Sequence, residues 1–171
     1  VGDEQSDSDP TTLALCERVA DLLGQEAGVF MPSGTMCNLV SILVQTKPGD
    51  EIIVDKTLYG CTFAYMHHGL SKFGITVTHV DLTEPENLVP AISGKTRVVY
   101  FETPANPNMR LVDIAAVSKI AHEAGATVVV DNTYATPYLT RPIELGADLV
   151  LHSATKYLGG HGDVVAGLIA G

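Results

Sequence analysis

The sequence has few cysteines, few basic residues and no long apolar run, and each shortage argues against a class of protein. Its three cysteines are scattered without a Cys-x-x-Cys pair, which favours reduced thiols in the cytoplasm over a disulfide framework or zinc site. Ten basic residues against 20 acidic ones leave a net charge of −10 and no basic face for nucleic acid. Because apolar runs of about 18 residues are absent and the N-terminus is polar, neither a membrane span nor a signal peptide is expected.

Several signature motifs are also missing. The sequence contains neither Gly-x-Gly-x-x-Gly nor a phosphate-binding loop that ends in Gly-Lys-Ser/Thr. It therefore lacks the motifs that usually indicate a dinucleotide or nucleoside triphosphate site. His67, His68, His152 and His161 lack metal-binding spacing and a suitably spaced acidic partner, and no metal is expected.

The order of apolar runs and turns predicts one α/β domain over residues 11–171, preceded by an acidic arm over residues 1–10. With 46 % hydrophobic residues among 171, the chain is long enough for one real core. Asp9-Pro10 is typical of a helix start, and seven apolar runs predict strands at 28–31, 51–54, 75–80, 97–102, 127–131, 148–152 and 164–170. Uninterrupted apolar runs such as Val128-Val129-Val130 are typical of strands buried on both faces. They predict a three-layer α/β domain with a mostly parallel, seven-stranded sheet.

The residues that follow these strands define a candidate site, because an open parallel sheet binds ligands at the carboxyl ends of its strands. Ser33-Gly34-Thr35 opens a helix and is suited to an anion, or is an ordinary capped turn. Asp131 is a partly desolvated carboxylate or a helix cap. Lys156 is a nucleophilic amine or a surface lysine. On one rim these groups provide a phosphate nest, an anion for a ring nitrogen and an amine for a Schiff base, as pyridoxal 5'-phosphate (PLP) requires.

Two further loops give weaker signals. Tyr59 follows the second strand and is either a ring-stacking phenol or a core residue. The turn after the fourth strand, around Asn106, contains two prolines and two asparagines and is first of all a rigid turn. Phe63, Met66 and Leu70 have helical spacing and are expected in the core.

From about residue 47 to 171 the chain resembles the PLP-dependent Cys/Met-metabolism enzymes of fold type I. The motifs that carry this resemblance are Leu58-Tyr59-Gly60-Cys61-Thr62, Phe101-Glu102-Thr103-Pro104-Ala105-Asn106-Pro107, Val129-Val130-Asp131-Asn132-Thr133 and Ser153-Ala154-Thr155-Lys156-Tyr157. Most of the family has Gly where this chain has Cys61, and a cysteine there is similar to the methionine γ-lyases. The resemblance implies an aspartate aminotransferase-like large domain.

The first 45 or so residues are more similar to threonine or phenylserine aldolases, which share the fold and the cofactor. This likeness is carried by Val1-Gly2-Asp3-Glu4, Asp9-Pro10-Thr11 and the segment from Phe30 to Asn38. The chain is therefore expected to combine two related sources joined near residues 40–50.

The family resemblance implies a role for each matching residue. Lys156 would form the Schiff base with PLP and move protons, and Asp131 would face the pyridine nitrogen. Tyr59 would stack on the ring and act as an acid, and Asn106 would contact the ring hydroxyl. Cys61 would lie beside the substrate and tune its turnover. The phosphate would be held by Ser33, Gly34, Thr35, Ser153 and Thr155.

The chain also departs from the family pattern. A Tyr-x-Arg pair that reaches into a neighbouring subunit of the γ-lyases is replaced by Glu4 and Ser6. The small C-terminal domain, which carries the arginine for the substrate carboxylate, does not follow Gly171 in this sequence.

These features imply three alternative functions. The first is α,γ-elimination of a sulfur amino acid, converting methionine to methanethiol, ammonia and 2-oxobutanoate. The second is retro-aldol cleavage of a β-hydroxy amino acid, although Tyr59 stands where such aldolases usually stack a histidine. The third is a truncated or designed domain that binds PLP without turnover. A small amino acid as substrate and a homo-oligomer, dimer or tetramer, are implied in the first two.

Overall fold

The computed structural model describes residues 8–171, so most of the acidic arm, including Glu4 and Ser6, lies outside the described residues. Seven strands form one sheet: β1 Gly28–Met31, β2 Glu51–Asp55, β3 Thr76–Val80, β4 Thr96–Glu102, β5 Thr127–Asp131, β6 Leu149–His152 and β7 Gly167–Ala170. The α-helices are α1 Pro10–Leu23, α2 Gly34–Leu43, α3 Gly60–Ala64, α4 Ile114–Glu123 and α5 Thr136–Leu139. Shorter 3₁₀ or π turns cover Tyr65–Gly69, Leu70–Phe73, Pro85–Ala91 and Pro142–Leu145.

The sheet is mostly parallel, as the sequence predicts. Its strand order is β1-β7-β6-β5-β4-β2-β3, and β7 runs antiparallel to both of its neighbours. The central strands β2, β4, β5 and β6 pair in parallel. Their carboxyl ends therefore meet at one edge of the sheet, where the candidate site was expected.

Helical layers cover both faces of this sheet because successive strand residues point to opposite sides. Val99, Val128 and Val130 belong to a core cluster on the face that α4 covers. Tyr100 and Val129, one residue away in each strand, belong to the opposite cluster under α2 and the segment after α3. The three-layer α/β architecture is thus confirmed.

Local chemistry explains where α1 begins and ends. The Asp9 carboxylate accepts a hydrogen bond from the Thr12 amide at 2.8 Å, and Pro10 occupies the first turn. Gly24 ends the helix in the left-handed conformation at φ 68°. Val19 and Leu23 then pack against a cluster that includes Leu168 of β7.

Some boundaries differ from the predicted ones. The last strand begins at Gly167 instead of residue 164, because residues 161–165 form an exposed loop in which Gly162 has a φ of 71°. After Tyr59 the chain forms three short turns, and a Cβ at Gly69 would lie 2.7 Å from the Tyr65 ring. Among residues 8–171, the helices are all too short or too polar to cross a membrane.

Candidate active site

A cavity of about 630 Å³ lies at the carboxyl edge of the sheet. This volume falls within the range of about 300–1,000 Å³ that is typical of small-molecule pockets. Nine residues that the sequence singled out for cofactor binding line the cavity: Ser33, Gly34, Thr35, Tyr59, Asn106, Asp131, Ser153, Thr155 and Lys156. The fold therefore brings these residues together, although they come from five separate segments of the chain.

The amino end of α2 forms one wall of the cavity. Ser33 caps the helix, since its Oγ accepts a hydrogen bond from the Met36 amide at 3.1 Å. Gly34 is buried against Ser153, and a Cβ on Gly34 would lie only 2.7 Å from the Ser153 Cβ. This close approach joins the helix end to the turn that precedes Lys156. Exposed Thr35 follows in the first turn, where free backbone N–H groups and the helix dipole favour an anion.

We expect Gly34→Ala to weaken binding of PLP, because the added methyl group forces α2 away from Ser153. Overpacking of this kind costs about 1–3 kcal/mol, which corresponds to a loss of roughly 5- to 150-fold in affinity if it falls on the bound state. Titration of the protein with PLP measures the change. Gly94→Ala is the matched control, since no heavy atom lies within 4 Å of a Cβ at Gly94. Equal affinities for the two variants would contradict the assigned contact.

Asp131 is the buried anionic group of the site. Its Oδ1 accepts a hydrogen bond from the Thr133 amide at 3.0 Å, and the Tyr100 hydroxyl lies 3.4 Å from its Oδ2. Burial nevertheless raises the pKa of Asp131 above its ordinary value. The contact with Thr133 closes a turn directly after β5, and the next helix begins only at Thr136, so Asp131 does not cap a helix. A cationic ligand in the cavity would stabilise the carboxylate.

Lys156 lies in the turn that follows β6 and is exposed, so the desolvation suggested by the apolar strand before it is not present. The turn itself is firmly held. The Ser153 amide donates to the Thr133 hydroxyl at 2.7 Å, and the Thr155 hydroxyl accepts from the Ala166 amide at 3.0 Å. These contacts attach the lysine turn to the loop after β5 and to the chain before β7. The ammonium group is thus accessible to a ligand in the cavity.

Tyr59 and Asn106 also line the cavity. Tyr59 is 42 % exposed, which rules out the interpretation as a core residue. A hydrogen bond with Cys61 and the neighbouring charge of Cys61 raise the pKa of the Tyr59 hydroxyl. Cys61 itself is exposed on α3 and is not among the cavity-lining residues, so it reaches the site through Tyr59. Asn106 is half-buried in the turn after β4.

The sequence-based prediction missed a buried polar layer beneath the cavity. The Tyr100 hydroxyl donates to Asn38 Oδ1 at 2.5 Å, and the Asn38 amide donates to the Thr62 hydroxyl at 3.2 Å. Glu102, the last residue of β4, accepts from the Tyr59 amide at 3.0 Å. Asn38, Thr62 and Glu102 all line the cavity. A polar residue at the end of a buried strand was the signal that had identified Asp131, and Glu102 carries the same signal.

The histidines do not assemble a metal site. In residues 8–171, no group of three or more His, Cys, Asp or Glu side chains is arranged to hold a metal ion. His67 stacks on Phe63, and His161 is exposed beyond Lys156. His152 is buried beside Asn132, whose amide lies 3.2 Å from the ring Nε2. Of the predicted core residues, Met66 and Leu70 are fully buried, whereas Phe63 is 39 % exposed.

The donors around the cavity fit PLP. The amino end of α2, where Gly34 packs against Ser153, suits a phosphate. The buried Asp131 suits a protonated ring nitrogen, and the accessible Lys156 amine suits an aldehyde. All three groups line the same cavity.

Comparisons with known proteins agree with this chemistry. The chain is 56 % identical over 164 residues to an L-methionine gamma-lyase of Pseudomonas putida, covering 96 % of this chain and 41 % of that protein. It is 49 % identical over 160 residues to a cystathionine beta-lyase of Lactococcus lactis subsp. cremoris, covering 94 % of this chain and 42 % of the relative. The chain thus spans about two fifths of the length of these curated relatives.

Solved structures give the same result. The crystal structure of metB from Corynebacterium glutamicum superposes with a TM-score of 0.93 at 40 % sequence identity, covering 95 % of this chain and 42 % of that one. The α/β domain is therefore of the kind found in PLP-dependent enzymes of sulfur amino-acid metabolism.

The likeness of residues 1–45 to aldolases finds no support in these comparisons. A model of the family described as "Cys/Met metabolism PLP-dependent enzyme" matches residues 6–171, and so extends through most of the segment that was expected to have a second source. A chain built from two related sources is therefore not indicated. A single family model covers nearly the whole chain, including all the cavity-lining residues named above. This chain is therefore a member of the Cys/Met metabolism PLP-dependent enzyme family.

Proposed function

We propose that the protein catalyses PLP-dependent elimination from a sulfur amino acid, with methionine and water giving methanethiol, ammonia and 2-oxobutanoate. The observation that carries this proposal is the convergence of Lys156, Asp131 and the amino end of α2 on one cavity. The similarity to relatives named L-methionine gamma-lyase supports the choice of substrate. When bound, PLP supplies an electron sink for bond cleavage next to the amino-acid Cα.

The protein groups in this proposal bind, orient and move protons. The Lys156 amine would hold the cofactor through its aldehyde and would carry protons at the substrate carbons. Asp131 keeps the ring nitrogen protonated, because a cation beside this buried carboxylate offsets the burial that raises its pKa. Asn106 would contact the ring hydroxyl. The phosphate would be held by Ser33, Gly34, Thr35, Ser153 and Thr155.

Tyr59 is proposed to stack on the ring and to donate a proton to the departing thiolate. With its raised pKa the Tyr59 hydroxyl is protonated at neutral pH, as a group that donates a proton must be. Cys61 is proposed to adjust this proton transfer through its contact with the Tyr59 hydroxyl, which is the interaction that raises that pKa most.

The test is a paired assay of the protein loaded with PLP. We expect methanethiol, ammonia and 2-oxobutanoate from methionine, and no aldehyde from threonine or phenylserine. Aldehyde formation without methanethiol would overturn the elimination in favour of retro-aldol cleavage. PLP binding without either product would overturn the catalytic proposal and leave only a cofactor-binding domain.

Homo-oligomerisation and a cytoplasmic location are part of the same proposal. An apolar groove next to the site includes the exposed Tyr138 (93 %) and Leu139 (73 %), and exposed apolar surface of this kind favours association. The three cysteines are free, as expected of thiols in a reducing compartment. Sedimentation as a monomer at all concentrations would contradict the first expectation, and recovery from an extracellular fraction would contradict the second.

A further inference from the structure

Glu102 and Asp131 form a pair of buried carboxyl groups at the floor of the cavity. They are the last residues of β4 and β5, and the parallel register places them directly opposite one another. Neighbouring strands lie about 4.8 Å apart, and opposed side chains point to the same face. Both residues are almost fully buried, at 5 % and 7 % exposure, and both line the cavity.

No cation balances this pair directly. Among residues 8–171, neither carboxyl group makes an ion pair with a lysine, arginine or histidine. Glu102 accepts the Tyr59 amide, and Asp131 accepts the Thr133 amide and contacts the Tyr100 hydroxyl. These neutral donors stabilise negative charge, but two buried charges in adjacent register still repel each other.

The other titratable groups around the pair are few. The nearby hydroxyls of Tyr59 and Tyr100 and the thiol of Cys37 are acids and cannot supply positive charge. The charge of Glu102, of Asp131 or of both contributes to raising their pKa values. Tyr134 and Tyr157 also line the cavity. The accessible ammonium of Lys156 faces the cavity from the lysine turn. Burial, together with the charge on Asp131, raises the pKa of Glu102 to about 7.

We propose that Glu102 is a positioning residue that shares one proton with Asp131, and that binding of a protonated pyridine ring at Asp131 releases this proton to solvent. In the free protein below about pH 7 the pair carries a single negative charge. A cation beside Asp131 lowers the cost of the second charge, so the O–H bond of Glu102 breaks, its electron pair stays on the carboxylate and the proton passes to water. Glu102 thereby sets the charge that Asp131 presents to the ring and also holds the Tyr59 loop in place.

This inference depends on the proposed function only for the identity of the cation. Its first test therefore uses the protein without cofactor, labelled with ¹³C at the side-chain carboxyl groups and titrated by NMR. We expect the Glu102 signal, assigned by its loss in Glu102→Gln, to titrate with a midpoint of about 7. In Asp131→Asn this midpoint should fall, because the neighbouring charge has been removed. The exposed Glu123→Gln is the matched control and should leave it unchanged.

A reciprocal measurement guards against a variant that does not fold. A shared proton belongs to both groups, so the Asp131 signal should show a step at the Glu102 midpoint, and this step should be lost in Glu102→Gln. An ordinary midpoint for Glu102, or an Asp131 signal without this step, would overturn the shared proton.

The second test measures protons released when PLP binds, by calorimetry in buffers of different ionisation enthalpy. Near pH 7 the unmodified protein should release about half a proton more than Glu102→Gln, because the carboxyl group is then about half protonated. Equal release by both proteins would overturn the linkage to Asp131. Failure of PLP to bind would contradict the proposed function together with the linked release, whereas the titration without cofactor decides the carboxyl pair on its own.

Discussion

Replacing Lys156 by alanine is expected to abolish covalent attachment of PLP and all turnover. The amine of Lys156 is the accessible nucleophile on the cavity, and the turn that carries it is held by the contact of Ser153 with Thr133. Alanine removes the nucleophile and leaves that turn intact. Borohydride reduction of the loaded protein followed by peptide mass spectrometry identifies the modified lysine directly.

The control for this experiment is Lys119→Ala. Lys119 is an exposed residue of α4, and no residue of this helix lines the cavity. The variant should keep both the cofactor bond and the activity. A cofactor bond that forms equally well in Lys156→Ala, or one found on another lysine, would refute the assignment. PLP that binds to Lys156→Ala without a covalent bond would be consistent with the phosphate and ring contacts alone.

The second large effect is a loss of folding stability in acid that originates at His152. This residue is 1 % exposed, and burial lowers its pKa from 6.5 to about 4. The unfolded chain therefore binds a proton near pH 6.5, whereas the folded protein resists protonation until about pH 4. The stabilising contribution of the neutral ring is complete above the unfolded pKa and is lost as the pH falls. At a pH of about 5 the loss amounts to roughly 2 kcal/mol.

Denaturant unfolding as a function of pH tests this expectation. His152→Gln keeps an acceptor for the Asn132 amide but cannot titrate, so its unfolding free energy should depend less on pH between about 4 and 6.5. Glu102 has the opposite effect, because its raised pKa favours the folded state at low pH, but it is present in both proteins and cancels from the comparison. His161→Gln, at an exposed histidine, should behave as the unmodified protein. Identical slopes for all three would contradict the prediction.

Much of the fold could be predicted because strands buried on both faces leave a simple record in the sequence. The Val128-Val129-Val130 run lies fully buried in β5, and Asp131 ends that strand as expected. Strand ends were less secure. The apolar residues at 164 and 165 suggested an earlier start for β7. Both are exposed, and they lie outside the paired residues of β7, which begin at Gly167.

The site could be predicted in part for a similar reason. The carboxyl ends of parallel strands share one edge of the sheet, so the sequence predicts that residues such as Ser153 and Asp131 meet there. Asn38 and Thr62 were not found, because each lies inside a helix and reaches the cavity only through the packing of α2 and α3 on the sheet. No spacing along the chain encodes that contact.

The amino-acid sequence by itself thus determined the strand count, the parallel character of the central sheet and the small set of chemical groups at its edge. These properties follow from local patterns of apolar residues, glycine and proline. Only the tertiary structure decided which groups are neighbours: that Lys156 is exposed, that Tyr59 contacts Cys61, and that Glu102 lies opposite Asp131. Register and burial depend on the packing of distant segments, and burial in turn sets the pKa values on which the proposed chemistry depends.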